Sequence, residues 1–468
     1  MEKIINRINE EKIRSYTTAI FTVLLLVVLP LVPEIKFNKN IYEANILATL
    51  KTSIFHIITL LSLLSFTFAK YVEISKDKFK VEKLKLSIYD VLIFIYLGLV
   101  IISTICSKYK FSNMFWGVTA RGEGLATIFC YIVTFIIFEK NFKYNKKIIA
   151  VMTMALVILS IWGIIQTVIP ESINLPFINK DLIMQKFAIG NMVNPNFFSS
   201  FLLIFLPIYI IKFLDTLKFR YLLVSTILFV AFICAKTLSG YLTFAVVCLG
   251  ILIIMGIYLK DIKKLLKGTI ALVISFTLAF ILITIINGDG YVKEIEGTKT
   301  NIEEMKQGST SFGSNRGLAW KIAIQVIKNY PIFGVGLESF GLETVANEEY
   351  FWSEYSFRGT YFDKAHCEYL HMAAVTGIPS ALVYISFLTI LGINLIKKYI
   401  EIIKTKKRDK ESILLIMVAA SIFSYIFQAG ANISITCVAP AFWVMVGIGA
   451  NLCIKKETKL LTNKKSVL

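Results

Sequence analysis

Apolar residues in this chain run in long blocks, and short basic stretches separate them. Twelve blocks stand out, at 17–33, 52–69, 87–106, 122–138, 148–169, 197–211, 221–235, 238–259, 269–286, 367–396, 412–428 and 433–454. Each is close to the roughly 20 residues with which an α-helix crosses about 30 Å of hydrocarbon. The pattern predicts an all-α polytopic membrane protein of about 12 transmembrane helices. It divides the chain into 1–286 with the first nine spans, a large loop over 287–365, and 366–468 with the last three spans and a tail. The first block follows a basic head, and no small-x-small cleavage pattern comes after it. It is therefore read as an uncleaved span.

Composition sharpens this picture. The 468 residues are 56% hydrophobic and 17% charged, well below the roughly 25% charged of soluble chains. A net charge of +19 could point to nucleic acid, but its placement argues otherwise. With both termini in the cytoplasm, the seven inward segments hold 33 of the 50 Lys and Arg. That is the positive-inside pattern, and it explains the basic excess without a nucleic-acid partner. Seven scattered cysteines without a CxxC pair indicate neither a disulfide framework nor a zinc site. No internal repeat is visible, which argues against a two-half transporter.

The 287–365 loop carries eight basic and eleven acidic residues, so it is neither a polybasic nor an acidic tail. Within it, "SNRGLAWKIAIQVIKNYP" predicts a helix capped by Ser314 or Asn315 and ended by Pro331. Trp320, Ala323, Ile324 and Ile327 share one face of it. Glycines 334, 336 and 341 permit tight turns in "PIFGVGLESFG". The aromatic stretch "YFWSEYSFRGTYF" reads as an interfacial belt or as a platform for sugar rings.

Polar residues gather at the outer ends of the spans. Arg121 and Glu123 stand at the lip of the fourth, either paired with each other or free for a ligand. Asn194 and Asn196 precede the sixth, and Lys236 sits in a short turn where it is either solvated or functional. Gln428, Asn432, Arg316, Arg358, His366 and Glu368 complete the set. Few charges lie deep in any span, so a polar site is expected near the outer face rather than at the midplane. His366 and His371 are five apart, about 140° around a helix, which does not suit a metal pair. His366 suits acid–base work because its ordinary pKa is near neutral.

These residues carry a resemblance. "SNRGLAWKIAIQVIKNYPIFGVGLESF" followed by "DKAHCEYLHMAAVTGIPSALVYI" resembles the O-antigen ligase and Wzy-type polymerase superfamily. The shared positions are Arg316, Trp320, Pro331, Gly334, Gly336, Phe340, His366, Leu370, Gly377 and Pro379. "FWGVTARGEGL" and "NPNFFSSFLLIFLPI" resemble upstream segments of the same family. Two positions depart: Cys367 replaces the asparagine after the histidine, and Ser239-Gly240 lacks an arginine, leaving Lys236 to supply that charge.

The resemblance implies a GT-C-like bundle capped by a large extracytoplasmic loop, in the bacterial cytoplasmic membrane. It implies transfer of an undecaprenyl-diphosphate-linked glycan to a glycan, lipid or protein acceptor, with no cofactor, no metal and no nucleotide sugar. His366, Arg316 and Glu368 are then the expected catalytic residues, and Arg121, Lys236, Arg358 and Trp320 the expected substrate-binding ones. Arginine suits a diphosphate because its planar fork binds two oxygens at once. Polymerisation of surface polysaccharide repeat units is the leading reading. The alternatives are a surface-glycan ligase, a protein O-oligosaccharyltransferase and, from another class, a lipid-glycan flippase.

Overall fold

The computed structural model describes residues 8–33, 35, 49–76, 86–118, 121–173, 180–287, 299–300, 303–304, 306–307, 312–347, 349–350 and 362–465. Among them the chain is helical, with no strand. The long helices are α1 (Glu10–Leu31), α2 (Leu50–Lys76) and α3 (Ile88–Cys106), then, after the short α4 (Phe111–Trp116), α5 (Leu125–Asn141) and α6 (Lys146–Val168). After the short α7 (Lys180–Met184) come α8 (Pro195–Thr216), α9 (Phe219–Cys234), α10 (Leu238–Leu259) and α11 (Ile262–Asn287). Then follow α12 (Phe312–Asn329), α13 (Phe340–Ala346), α14 (Glu368–Thr376), α15 (Ile378–Lys404), α16 (Lys410–Ala429) and α17 (Ala439–Lys465).

Each apolar block falls on a helix. Nine of these helices, among the described residues, are long and apolar enough to cross a membrane; α9 and the apolar part of α17 are shorter. The 367–396 block is not one continuous helix. It breaks at Gly377, whose φ of +86° separates α14 from α15.

Local chemistry sets the helix ends. Ser87 and Asp90 form a reciprocal capping box at the start of α3. Asn194 starts α8, its side chain accepting from the Asn196 amide at 2.8 Å. α8 is the central helix, with 89% of its apolar window buried, whereas only 11% of that of α11 is. A helix apolar all round belongs either in a core or against lipid, and these two occupy the two situations.

The ends of α2, α3, α5, α8, α9, α10, α15 and α16 meet at one end of the bundle, where polar contacts tie them. Thr237 donates to Ser199 at 2.8 Å, Asn432 to Ser200 at 2.5 Å, and Ser103 to the Val375 carbonyl at 3.0 Å. α12 packs on α14 at this end. Its buried residues are Leu318, Ala319, Ile322, Ala323 and Val326. The predicted face is thus corrected: it shares only Ala323 with the observed one, and Ile324 is exposed. The helix is apolar on more than one side, so periodicity alone did not fix which side packs. Burying Leu318, Ile322 and Val326, at about 1.5–3 kcal/mol each, holds α12 down.

The turn after α12 interlocks with the α14–α15 break. Val335 N donates to Ala374 O at 3.0 Å, Gly336 N to Val375 O at 2.8 Å, and Ile378 N to Pro331 O at 2.9 Å. A Cβ on Gly334 would lie 2.4 Å from the Val375 carbonyl carbon, and one on Gly377 would lie 2.0 Å from Ile332 O. Both glycines also have positive φ. The two sequence motifs, distant in the chain, are therefore one backbone-to-backbone joint that only glycine permits.

A candidate active site at one end of the bundle

Arg316 follows a distorted first turn of α12, in which Gly313 and Asn315 have φ of +63° and +67°. That turn aims its guanidinium at the N-terminus of α8, with Nη2 3.4 Å from Asn196 Oδ1. Among the described residues no carboxylate pairs with Arg316, and burial pulls its pKa below the usual arginine value. A half-buried charge without a carboxylate partner carries a desolvation cost. The nearby N-terminus of α8 adds its own partial positive charge.

Lys236 lies in the connection between α9 and α10. It precedes Thr237, which bonds Ser199. Its ammonium lies 5.3 Å from the Phe187 ring centre. The solvated reading of Lys236 is corrected: the residue is only 7% exposed and has a left-handed φ of +50°. Asn432 reaches Asn196 O at 3.3 Å from the other side. Gln428, 2% exposed on the last turn of α16, leaves both amide atoms without a hydrogen-bond partner.

His366 lies in the 362–367 loop with φ of +51°, a conformation costing about 1–2 kcal/mol for a residue with a Cβ. Arg121 holds that loop in place. Its Nε is 2.6 Å from Asp363 Oδ2, three residues before His366. The Arg121–Glu123 pair considered from the sequence is thereby corrected, because the packed loop brings Asp363 to the arginine. Burial pushes His366 down to about 4. Asp363 opposes this, while the charges of Arg316 and Arg121 push the same way. The imidazole is therefore neutral at pH 7 and can accept a proton. Asp363 itself would be raised by burial, but the adjacent Arg121 holds its carboxyl below the usual range.

A second polar layer lies beneath. Lys364 forms a buried ion pair with Glu338. Glu123, just ahead of α5, accepts from the Tyr131 hydroxyl at 2.5 Å. Burial raises its carboxyl to about 7, against the pull of Lys364. Glu368 is held between the hydroxyls of Tyr384 and Tyr425, each at 2.9 Å. These groups and His371 surround a cavity of about 60 Å³, room for about two waters. His371 packs edge-on against Phe340 at 5.5 Å, and its Nδ1 has no hydrogen-bond partner.

The structure thus places Arg316 at the first turn of α8 and brings His366 within electrostatic reach of Arg316 and Arg121, while Lys236 sits in the α9–α10 connection, whose Thr237 bonds Ser199 of α8. Glu368 faces the tyrosines of the lower layer. Trp320 is half-buried one turn beyond Arg316. Arg358, with most of the aromatic stretch, lies outside the described residues. Among the described residues, no three His, Cys, Asp or Glu side chains gather as a metal site.

Sequence reasoning missed the Lys364–Glu338 pair and two groups that hold the 188–193 loop. Gln166 accepts from the amides of Ile189 and Gly190, both at 2.9 Å, and Lys51 donates to Asn191 O at 2.7 Å. Gln166 interrupts an apolar block, and a polar residue there was the available signal.

Fold and site together define a polytopic helical membrane protein with a cationic, histidine-bearing site at one end of its bundle. Residues 221–385 match the family model described as O-antigen ligase. The matched segment contains Lys236, Arg316 and His366 and supports the O-antigen ligase/polymerase superfamily, whose general activity is glycan transfer. No curated protein matches the chain.

Proposed function

We propose that the protein transfers a glycan from an undecaprenyl-diphosphate carrier to an acceptor at the outer face of the cytoplasmic membrane, and that the product is a polymer of surface repeat units. The observation that carries this reading is Arg316, a half-buried guanidinium with no carboxylate partner among the described residues, beside the N-terminus of α8. A diphosphate supplies the missing negative charge and accepts both arms of the fork. Lys236, in the α9–α10 connection whose Thr237 bonds Ser199 of α8, is the proposed second cation. The basic residues counted above support an orientation with the opposite end of the bundle in the cytoplasm and this end outside.

In this reading an acceptor hydroxyl bonds to the anomeric carbon as the bond from that carbon to the diphosphate oxygen breaks. The hydroxyl proton passes to the neutral His366. The electron pair of the broken bond stays on the diphosphate, where Arg316 and Lys236 stabilise the growing charge. Arg121 and Asp363 hold the His366 loop, and Glu368 positions α14 through its two tyrosines. Trp320 and Arg358 remain proposed substrate contacts.

Polymerisation follows from an acceptor that is itself a lipid-linked repeat unit. In a strain lacking the gene, single repeat units are expected on the carrier or the surface, with no length ladder on a glycan gel. Long polymer still attached to its lipid carrier in that strain would instead establish the ligase activity.

A further inference from the structure

We propose that the bundle end opposite the candidate site binds an anionic phospholipid, with the phosphate between Lys143 and Lys212 and one acyl chain in the cleft behind them. The inference is independent of the glycan-transfer reading. A cleft of about 220 Å³ opens there. Thr22 and Leu26 of α1 form one side and Ile148 and Met152 of α6 the other, with α8, α16 and α17 as the floor. Away from the mouth the lining is mostly apolar, so its depth favours a hydrocarbon chain.

The mouth has the opposite chemistry. Lys143, Tyr144, Lys212 and Tyr221 line it. Arg220 stacks 4.7 Å from the Tyr221 ring centre and donates to its hydroxyl at 3.0 Å. Lys146 and Lys147 are exposed in the adjoining first turn of α6. Asp215, 3.6 Å from Lys212, offsets only part of this charge. The α5–α6 connection, which carries Lys143, lies where headgroups meet water if α6 spans the bilayer. Charge complementarity therefore selects an anionic headgroup over a zwitterionic one.

A further feature marks the inner end. Leu24–Val28 of α1 form a π-helical turn, and Leu26 on that turn lines the cleft. Such turns are rare and concentrate at functional sites. Here the widened turn carries Leu26 into the cleft lining.

The test uses the purified full chain in phosphatidylcholine nanodiscs, titrated with phosphatidylglycerol and read by native mass spectrometry of retained lipid. Phosphatidylglycerol is expected to be retained in preference to phosphatidylcholine, and inorganic phosphate is expected not to displace it. Lys143→Gln with Lys212→Gln should weaken that retention about 25-fold, at about five-fold per lysine. Ile148→Trp, at a half-buried position on the cleft wall, should weaken it as well by occupying the chain's place. Equal retention of both lipids, or unchanged affinity in the double variant, would overturn the proposal. Unchanged affinity in Ile148→Trp would overturn the placement of the chain in the cleft.

Discussion

Arg316→Ala is expected to lower glycan transfer by about 10²–10³-fold, the usual loss when one preorganised donor to a developing anion is removed. Arg316→Lys should recover only part of this, because an ammonium keeps the charge and loses the planar fork. The more telling readout is stability. Arg316 is half-buried without a carboxylate partner among the described residues, and it is partly desolvated. Arg316→Met should therefore leave the ligand-free protein as stable as the parent or more so, since an apolar residue of similar length carries no desolvation cost. A structural arginine behaves the other way, with activity and melting temperature falling together. Loss of activity with retained or improved stability is the signature of a charge kept for a ligand.

His366→Ala is expected to cost about 10²–10⁴-fold in transfer. Because His366 has a left-handed φ of +51°, His366→Asn is the better control: asparagine tolerates that conformation and removes the imidazole. The pH dependence follows from the direction of the shift. Burial and two arginines hold the histidine down at about 4 in the free protein. Protonation below that pKa removes the lone pair, so the acid limb of kcat/KM should lie near pH 4, not near the ordinary 6.5. Bound diphosphate brings negative charge beside the imidazole and favours its protonated form. The acid limb of kcat should therefore lie at higher pH than that of kcat/KM. Coincident limbs near 6.5 would mean that His366 is solvated and away from the anion site.

The helical, membrane-spanning character was legible because it rests on block length and on the side that carries Lys and Arg. The site was legible where a residue type is expensive at its position: Arg316, Lys236 and His366 stand out as charged or titratable groups at the ends of apolar blocks. What failed was pairing and facing. Arg121 met Asp363 and not Glu123 because the 362–367 segment packs against the chain just ahead of α5, a contact across 242 positions that no local spacing encodes. The packed face of α12 was misplaced because Trp320 and Ile324 are as apolar as Leu318 and Ile322. The glycines of the turn after α12 were legible as turn formers. Gly377 was legible through the resemblance, as the Gly-hydrophobic-Pro turn with Pro379; its joint with the turn after α12 was not, because it forms between two backbones and leaves no side-chain signal.

The central claim is that this site breaks a glycan–diphosphate bond and makes a glycan–acceptor bond. The direct test is transfer by the purified protein, in nanodiscs, from a synthetic undecaprenyl-diphosphate donor bearing one repeat unit, with products resolved by length. The expected products are carrier-linked glycans longer than one unit and released undecaprenyl diphosphate, with neither formed by His366→Asn. Donor that binds or crosses the bilayer with its glycan–diphosphate bond intact would contradict it.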